Sequence, residues 1–221
     1  MRRLFLSAAV AVLSIAATLP VYAQRSFTQE PFTDVPKTHV NFQAIEYLRV
    51  NNILKGYPDG TFRPNRRITR AEFVALITNP FFLSGRSNDC LTVNFRSNDA
   101  TRVFFTDVLY SAWYAQDVCE AAVNEFVHGY ADGTFKPNHN ISFVEGAKIA
   151  ARLFKLDVER DHPADEHWYV IYAQTLSKLR AIPQSIKTFT QTITRGEMAE
   201  IVFRLKTSNT TKTSANFESL R

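Results

Sequence analysis

The chain has 221 residues, 26 of them Lys or Arg and 21 Asp or Glu, a formal charge of +5. So mild and dispersed an excess leaves no electrostatic footprint for nucleic acid. Its five histidines, His39, His128, His139, His162 and His167, recur at no metal-ligand spacing, and no Ser-His-Asp or Cys-His pattern accompanies them, so the sequence points to no metal, no cofactor and no enzyme.

In chain order, residues 1–23 read as an export signal. Arg2 and Arg3 form a positive start, an apolar run follows through Leu19, and Val21-Tyr22-Ala23 makes a small-x-small-like cleavage site before Gln24. The run is shorter than the roughly 20 residues of a spanning helix, the alternative being an uncleaved anchor. Its removal leaves +3, 24 basic against 21 acidic residues. No later stretch is suited to a membrane span. The expected location is outside the cytoplasm: secreted, in the cell wall or envelope, on the periplasmic side or the cell surface.

Residues 32–80 form a first unit and 105–155 repeat it. Phe32-Thr33-Asp34-Val35 returns at Phe105-Thr106-Asp107-Val108, Gly56-Tyr57-Pro58-Asp59-Gly60-Thr61-Phe62 at Gly129-Tyr130-Ala131-Asp132-Gly133-Thr134-Phe135, and Ile68-Thr69-Arg70-Ala71-Glu72 at Ile141-Ser142-Phe143-Val144-Glu145. All three are displaced by 73 positions (105 − 32, 129 − 56, 141 − 68). A unit repeated without insertion is a supersecondary module whose apolar faces are buried against its neighbours. Apolar spacing predicts a helix over 41–52 with Phe42, Ile45, Leu48 and Val50 inward, and one over 113–126 that buries Trp113, Ala115, Val118, Ala122, Val123 and Phe126. Asp107 and Ser111 are candidate caps for the latter. The glycine loop turns at Asp59-Gly60 and Asp132-Gly133, and Thr69 with Glu72, or Ser142 with Glu145, forms a capping box for the second helix.

Residues 81–104 connect the two units and hold Cys90; Cys119 lies in the second. An even cysteine count in an exported chain favours a Cys90–Cys119 disulfide over two free thiols. Residues 156–206 are a degenerate third unit: His167-Trp168-Tyr169 answers Ala112-Trp113-Tyr114 and Ile193-Thr194-Arg195-Gly196-Glu197 restores the helix start, but Ile182-Pro183-Gln184-Ser185-Ile186 replaces the glycine loop. Residues 207–221, rich in Thr, Ser, Asn and Lys, read as a disordered tail. The fold class is mainly α, three helix-loop-helix repeats sharing one core.

These motifs resemble the S-layer homology family, whose repeats combine an F-x-D-V opening, an early Trp, a G-Y-x-D-G-T-F-x-P loop and an I-T-R-A-E helix start. The resemblance covers residues 32–206. It implies a pseudo-threefold arrangement whose inter-repeat grooves hold a cell-wall polysaccharide or peptidoglycan-linked polymer, often one bearing anionic pyruvate ketals. Arg70 and Arg195 match the anion-binding arginine, Trp113 and Trp168 the early tryptophan, and Tyr57, Asp59, Gly60, Tyr130, Asp132 and Gly133 the loop. Phe143 stands where copy two should have arginine, Val40 and Asn41 where copy one should have Trp-Tyr, and copy three lacks the loop, so no more than two grooves are expected to be competent.

An arginine at a helix start has chemical sense of its own, because free N–H groups and the positive dipole end already favour an anion. The residues leave other readings open: the tryptophans as core, the arginines paired with Glu72 or Glu197, and the Asp-Gly pairs as turn formers only. The expected function is a non-catalytic anchoring module for cell-wall glycan. The alternative is a self-assembling structural envelope protein with vestigial grooves, in which other envelope proteins or further copies are the partners.

Overall fold

The computed structural model describes residues 30–82, 90–91, 104–158, 167–209 and 211–220, with side chains from 79 to 82 excepted. The expected signal segment, most of the 81–104 connection and His162 lie outside the described residues.

The protein is mainly α. Among the described residues six helices carry the repeats: α1 (Phe42–Val50), α2 (Arg70–Phe82), α3 (Ala115–Val123), α4 (Phe143–Leu153), α5 (Val170–Lys178) and α6 (Arg195–Thr207). None of them is long and apolar enough to cross a membrane. The second helix of each copy opens on a capping box, Thr69 with Glu72, Ser142 with Glu145 and Thr194 with Glu197, which satisfies N–H groups that the first turn leaves free.

The first helices of the copies begin without a side-chain cap. Asp107, a candidate cap by sequence, instead reaches forward to accept the N–H groups of Phe135 at 2.7 Å and Lys136 at 2.8 Å, and Asp34 does the same for Phe62 and Arg63. These N–H groups belong to a loop that turns through positive φ at Arg63 and Lys136, outside any helix, and a carboxylate supplies the acceptor that a helix would have provided. The Phe-x-Asp-Val opening is thus the clasp of the glycine loop. Trp113, expected inward, precedes α3 and is 66% exposed; Val50 and Val123 end their helices where the chain leaves the core and are exposed too.

Helix packing exchanges partners between copies. α3 of copy two packs on α2 of copy one, α5 of copy three on α4 of copy two, and α1 of copy one on α6 of copy three. The junctions before the second helices meet in a closed cycle: Ile68 N–H donates to the Ile193 carbonyl at 3.1 Å, Ile141 N–H to Ile68 at 3.0 Å and Ile193 N–H to Ile141 at 3.1 Å. All three side chains are fully buried and belong to one core with Phe62, Phe73 and Phe135. Shared burial of this kind is what a pair of nine- to thirteen-residue helices cannot achieve alone.

Two further features tie the chain down. Cys90 and Cys119 are joined, with Cα atoms 6.1 Å apart, which fixes the long connection to α3. The segment expected as a disordered tail is corrected over 211–220. Ala215 N–H donates to the Ile182 carbonyl, Phe217 packs on Phe189 with centroids 5.2 Å apart, and Leu220 is buried. Its polar composition hid two apolar anchors, which cover the surface that copy three exposes for want of a glycine loop.

Candidate functional site

Arg70 is the first residue of α2, and its side chain is directed across to copy two. Nε–H donates to the Phe135 carbonyl at 2.8 Å, Nη1 lies 3.2 Å from Glu145 Oε1, and the guanidinium carbon sits 4.8 Å from the Tyr130 ring centroid. Arg195, first in α6, repeats this against copy one, with Nε–H to the Phe62 carbonyl at 2.8 Å and the Tyr57 ring at 4.7 Å. Both arginines are only 4% exposed. Each therefore serves the loop of the following copy, counted cyclically, and the sites are built between copies.

Around Arg70 the surface closes into a cavity of about 260 Å³ to which three copies contribute: Arg70, then Tyr130, Glu145 and Lys148, then Trp168. Lys148 Nζ stands 4.9 Å from the half-exposed Trp168 ring and has no carboxylate partner among the described residues. Burial first, then Arg152 and Arg70, push its pKa below the ordinary lysine value. His128 in the same wall is lowered by burial and by Arg152 and Lys148. Burial would raise the Glu145 carboxyl, but the Tyr130 hydroxyl, Ser142 and Arg70 hold it below its ordinary value, and the Tyr130 hydroxyl in turn is pushed up to about 12 by burial and by Glu145. Among the described residues the one carboxylate in the cavity wall is thus engaged from three sides, while the cations face an aromatic plane and open volume. Such a wall favours an anion on a body with an apolar face.

The three copies are unequal in a concerted way. Position 148 stands three after the capping Glu145, and its counterparts are Ala75 in copy one (72 + 3) and Glu200 in copy three (197 + 3). At the groove where α4 begins, Phe143 replaces arginine and is fully buried, with its N–H donating to Gln191 of the eroded loop. The same groove has Glu200 for lysine, and Lys212 of the C-terminal segment crosses it to bond Glu200 at 2.8 Å and the Val40 carbonyl at 2.9 Å. The three departures that the sequence spreads over three copies thus converge on one groove, and the other two keep the buried arginine.

Asp59 and Asp132 accept from the backbone N–H and hydroxyl of Thr61 and Thr134, and Gly60 and Gly133 take φ of +79° and +77°. Neither Asp132 nor Gly133 lines the Arg70 cavity. Tyr57 and Tyr130 each lie against two cations, Arg63 with Arg195 and Lys136 with Arg70. Trp113 packs edge-on to Tyr114, with its indole largely open. Sequence reasoning missed Lys148, His128 and Arg66. Lys148 was signalled by its i+3 relation to the capping Glu145, which puts both on one helix face.

The family model described as the S-layer homology domain matches residues 31–74 and 104–143. Among curated relatives, "Cell surface glycoprotein 1" of Acetivibrio thermocellus is 32% identical over 57% of this chain and 5% of its own length. The "Cellulosome-anchoring protein" of the same organism is 32% identical over 55% of this chain and 25% of its own length, and the "Surface layer protein" of Brevibacillus choshinensis 29% over 64% and 12%. The chain thus spans a quarter or less of these relatives.

Proposed function

Because the chain belongs to the S-layer homology family, an anchoring module of the cell envelope, we propose that it binds an anionic cell-wall glycan, without catalysis, in the grooves of Arg70 and Arg195. The cyclic Ile68, Ile141 and Ile193 contacts and the exchange of helices support three lobes about a pseudo-threefold axis, two of whose junctions carry a buried arginine. By repeat symmetry Trp113, just before the helix that packs on α2, is the counterpart of Trp168 and the candidate stacking surface for the Arg195 groove.

The carrying observation is the pair of buried guanidiniums at helix starts, each against a tyrosine face. A planar guanidinium offers two parallel donors to a carboxylate, and an indole face stacks on sugar C–H surfaces. Pyruvate ketals supply such a carboxylate. The test is sedimentation with purified cell-wall sacculi, before and after acid-labile polymers are stripped. Arg70→Ala with Arg195→Ala should abolish it while the helical circular dichroism persists. Each substitution also frees a buried carbonyl, at a cost of about 1–3 kcal/mol, so melting is followed in parallel. Undiminished sedimentation of the folded double variant would instead favour the self-assembling structural protein with vestigial grooves.

A further inference from the structure

The two arginine-bearing junctions hold that arginine in different states. In the copy-two groove the oxygen of Glu145 outside the capping box is shared by the Tyr130 hydroxyl and by Arg70, the latter at 3.2 Å. In the copy-one groove the equivalent oxygen of Glu72 is taken by Arg66, which lies 2.5 Å from it and 2.8 Å from the Tyr57 hydroxyl. The repeat counterpart of Arg66 is His139 (66 + 73), exposed and too short a side chain to make that bridge. Among the described residues Arg195 then makes one side-chain hydrogen bond, from Nε to Phe62, and no ion pair. Burial lowers its pKa, and Glu72 is near enough to oppose that without pairing. A guanidinium largely withdrawn from water with both terminal amino groups uncommitted gains most from a ligand carboxylate.

We propose that Arg66 is a positioning residue that makes the Arg195 groove the primary anion site: by occupying Glu72 it leaves Arg195 free for a two-point contact with the ligand, whereas Arg70 is held by Glu145. The proposal rests on the glycan reading of the grooves and assigns their order of affinity. It also explains why a cation stands at position 66, beside another cation, in a site built for an anion.

Titration calorimetry on the full chain, with a methyl hexoside carrying a pyruvate ketal as the probe, tests it. Arg66→His should weaken binding about tenfold, the loss of one good charge-assisted contact. In a Glu72→Gln background, where the amide still completes the capping box but offers Arg195 no carboxylate, Arg66→His should have no effect. Conversely His139→Arg should strengthen the residual site of an Arg195→Ala chain. Unchanged affinity of Arg66→His, or an equal loss with Glu72→Gln present, overturns the proposal, the latter by making Arg66 itself a ligand contact. A ligand-free readout separates this from the glycan reading: the Arg195 Nη proton signals should sharpen in Arg66→His as the guanidinium clamps onto Glu72. Unaltered signals sink the partner exchange whatever binds. Altered signals with no probe binding to the wild-type chain sink the glycan reading alone.

Discussion

Two glycines of the same loop are required for different reasons. A Cβ on Gly129 would stand 2.6 Å from the Phe105 ring and 2.8 Å from the Thr134 carbonyl oxygen, whereas one on Gly133 meets nothing closer than 3.6 Å but would sit at φ +77°. Gly129→Ala is therefore expected to cost about 2–3 kcal/mol through overpacking. Gly133→Ala should cost about 1–2 kcal/mol through backbone strain, with Gly133→Asn milder. Urea titration of the three variants checks the order. Titration of Glu145 acts at the same scale. Its folded pKa lies below the ordinary value, so the stability it contributes is complete above the unfolded pKa and is lost as pH falls through the folded one. Melting temperature should drop on acidification from about pH 4.5 downward, and Glu145→Gln should flatten that limb. Tyr130 runs the other way: raised from about 10 to about 12, it contributes stability that is complete below about pH 10 and is lost as pH climbs from there through 12.

At the scale of elements, the capping boxes carry the sequence most directly into structure. Ser142→Ala removes the acceptor of Glu145 N–H and should cost about 1 kcal/mol, read as a fall in the thermal midpoint, while α4 persists through its packing on α5. Thr69, Ser142 and Thr194 were legible because a cap is local, three residues wide. Asp107 was not, since its role depends on a loop 28 residues further on, a distance that periodicity does not encode. Periodicity found the central buried positions of α1 and α3, Ile45, Leu48, Ala115 and Val118, but failed at Val50, Trp113 and Val123 and did not say which helix they face, and the partner in both cases belongs to another copy. The arginines of the candidate site were readable from the repeated motif, whereas Lys148 and Arg66 acquire meaning only when the copies are set side by side in space.

For the whole molecule, the candidate site is built at a junction between copies, so a defect counted per copy misleads. Phe143→Arg, which on sequence would restore the family pattern, places a charge at a fully buried position facing the eroded loop of copy three. It should cost on the order of 3–5 kcal/mol and give no added sedimentation with sacculi, even at low salt. The cyclic packing also fixes an order of events during folding. Among the described residues α1 packs chiefly on α6, and Asn41 donates to Glu200 across 159 positions of sequence. α1 must wait for α6, so an emerging chain holds that apolar face open until copy three is available. A protein of short helices thereby acquires the slow, late-closing kinetics usual for sheet topologies, and refolding in milliseconds to seconds, rather than microseconds, follows from the closure of the ring.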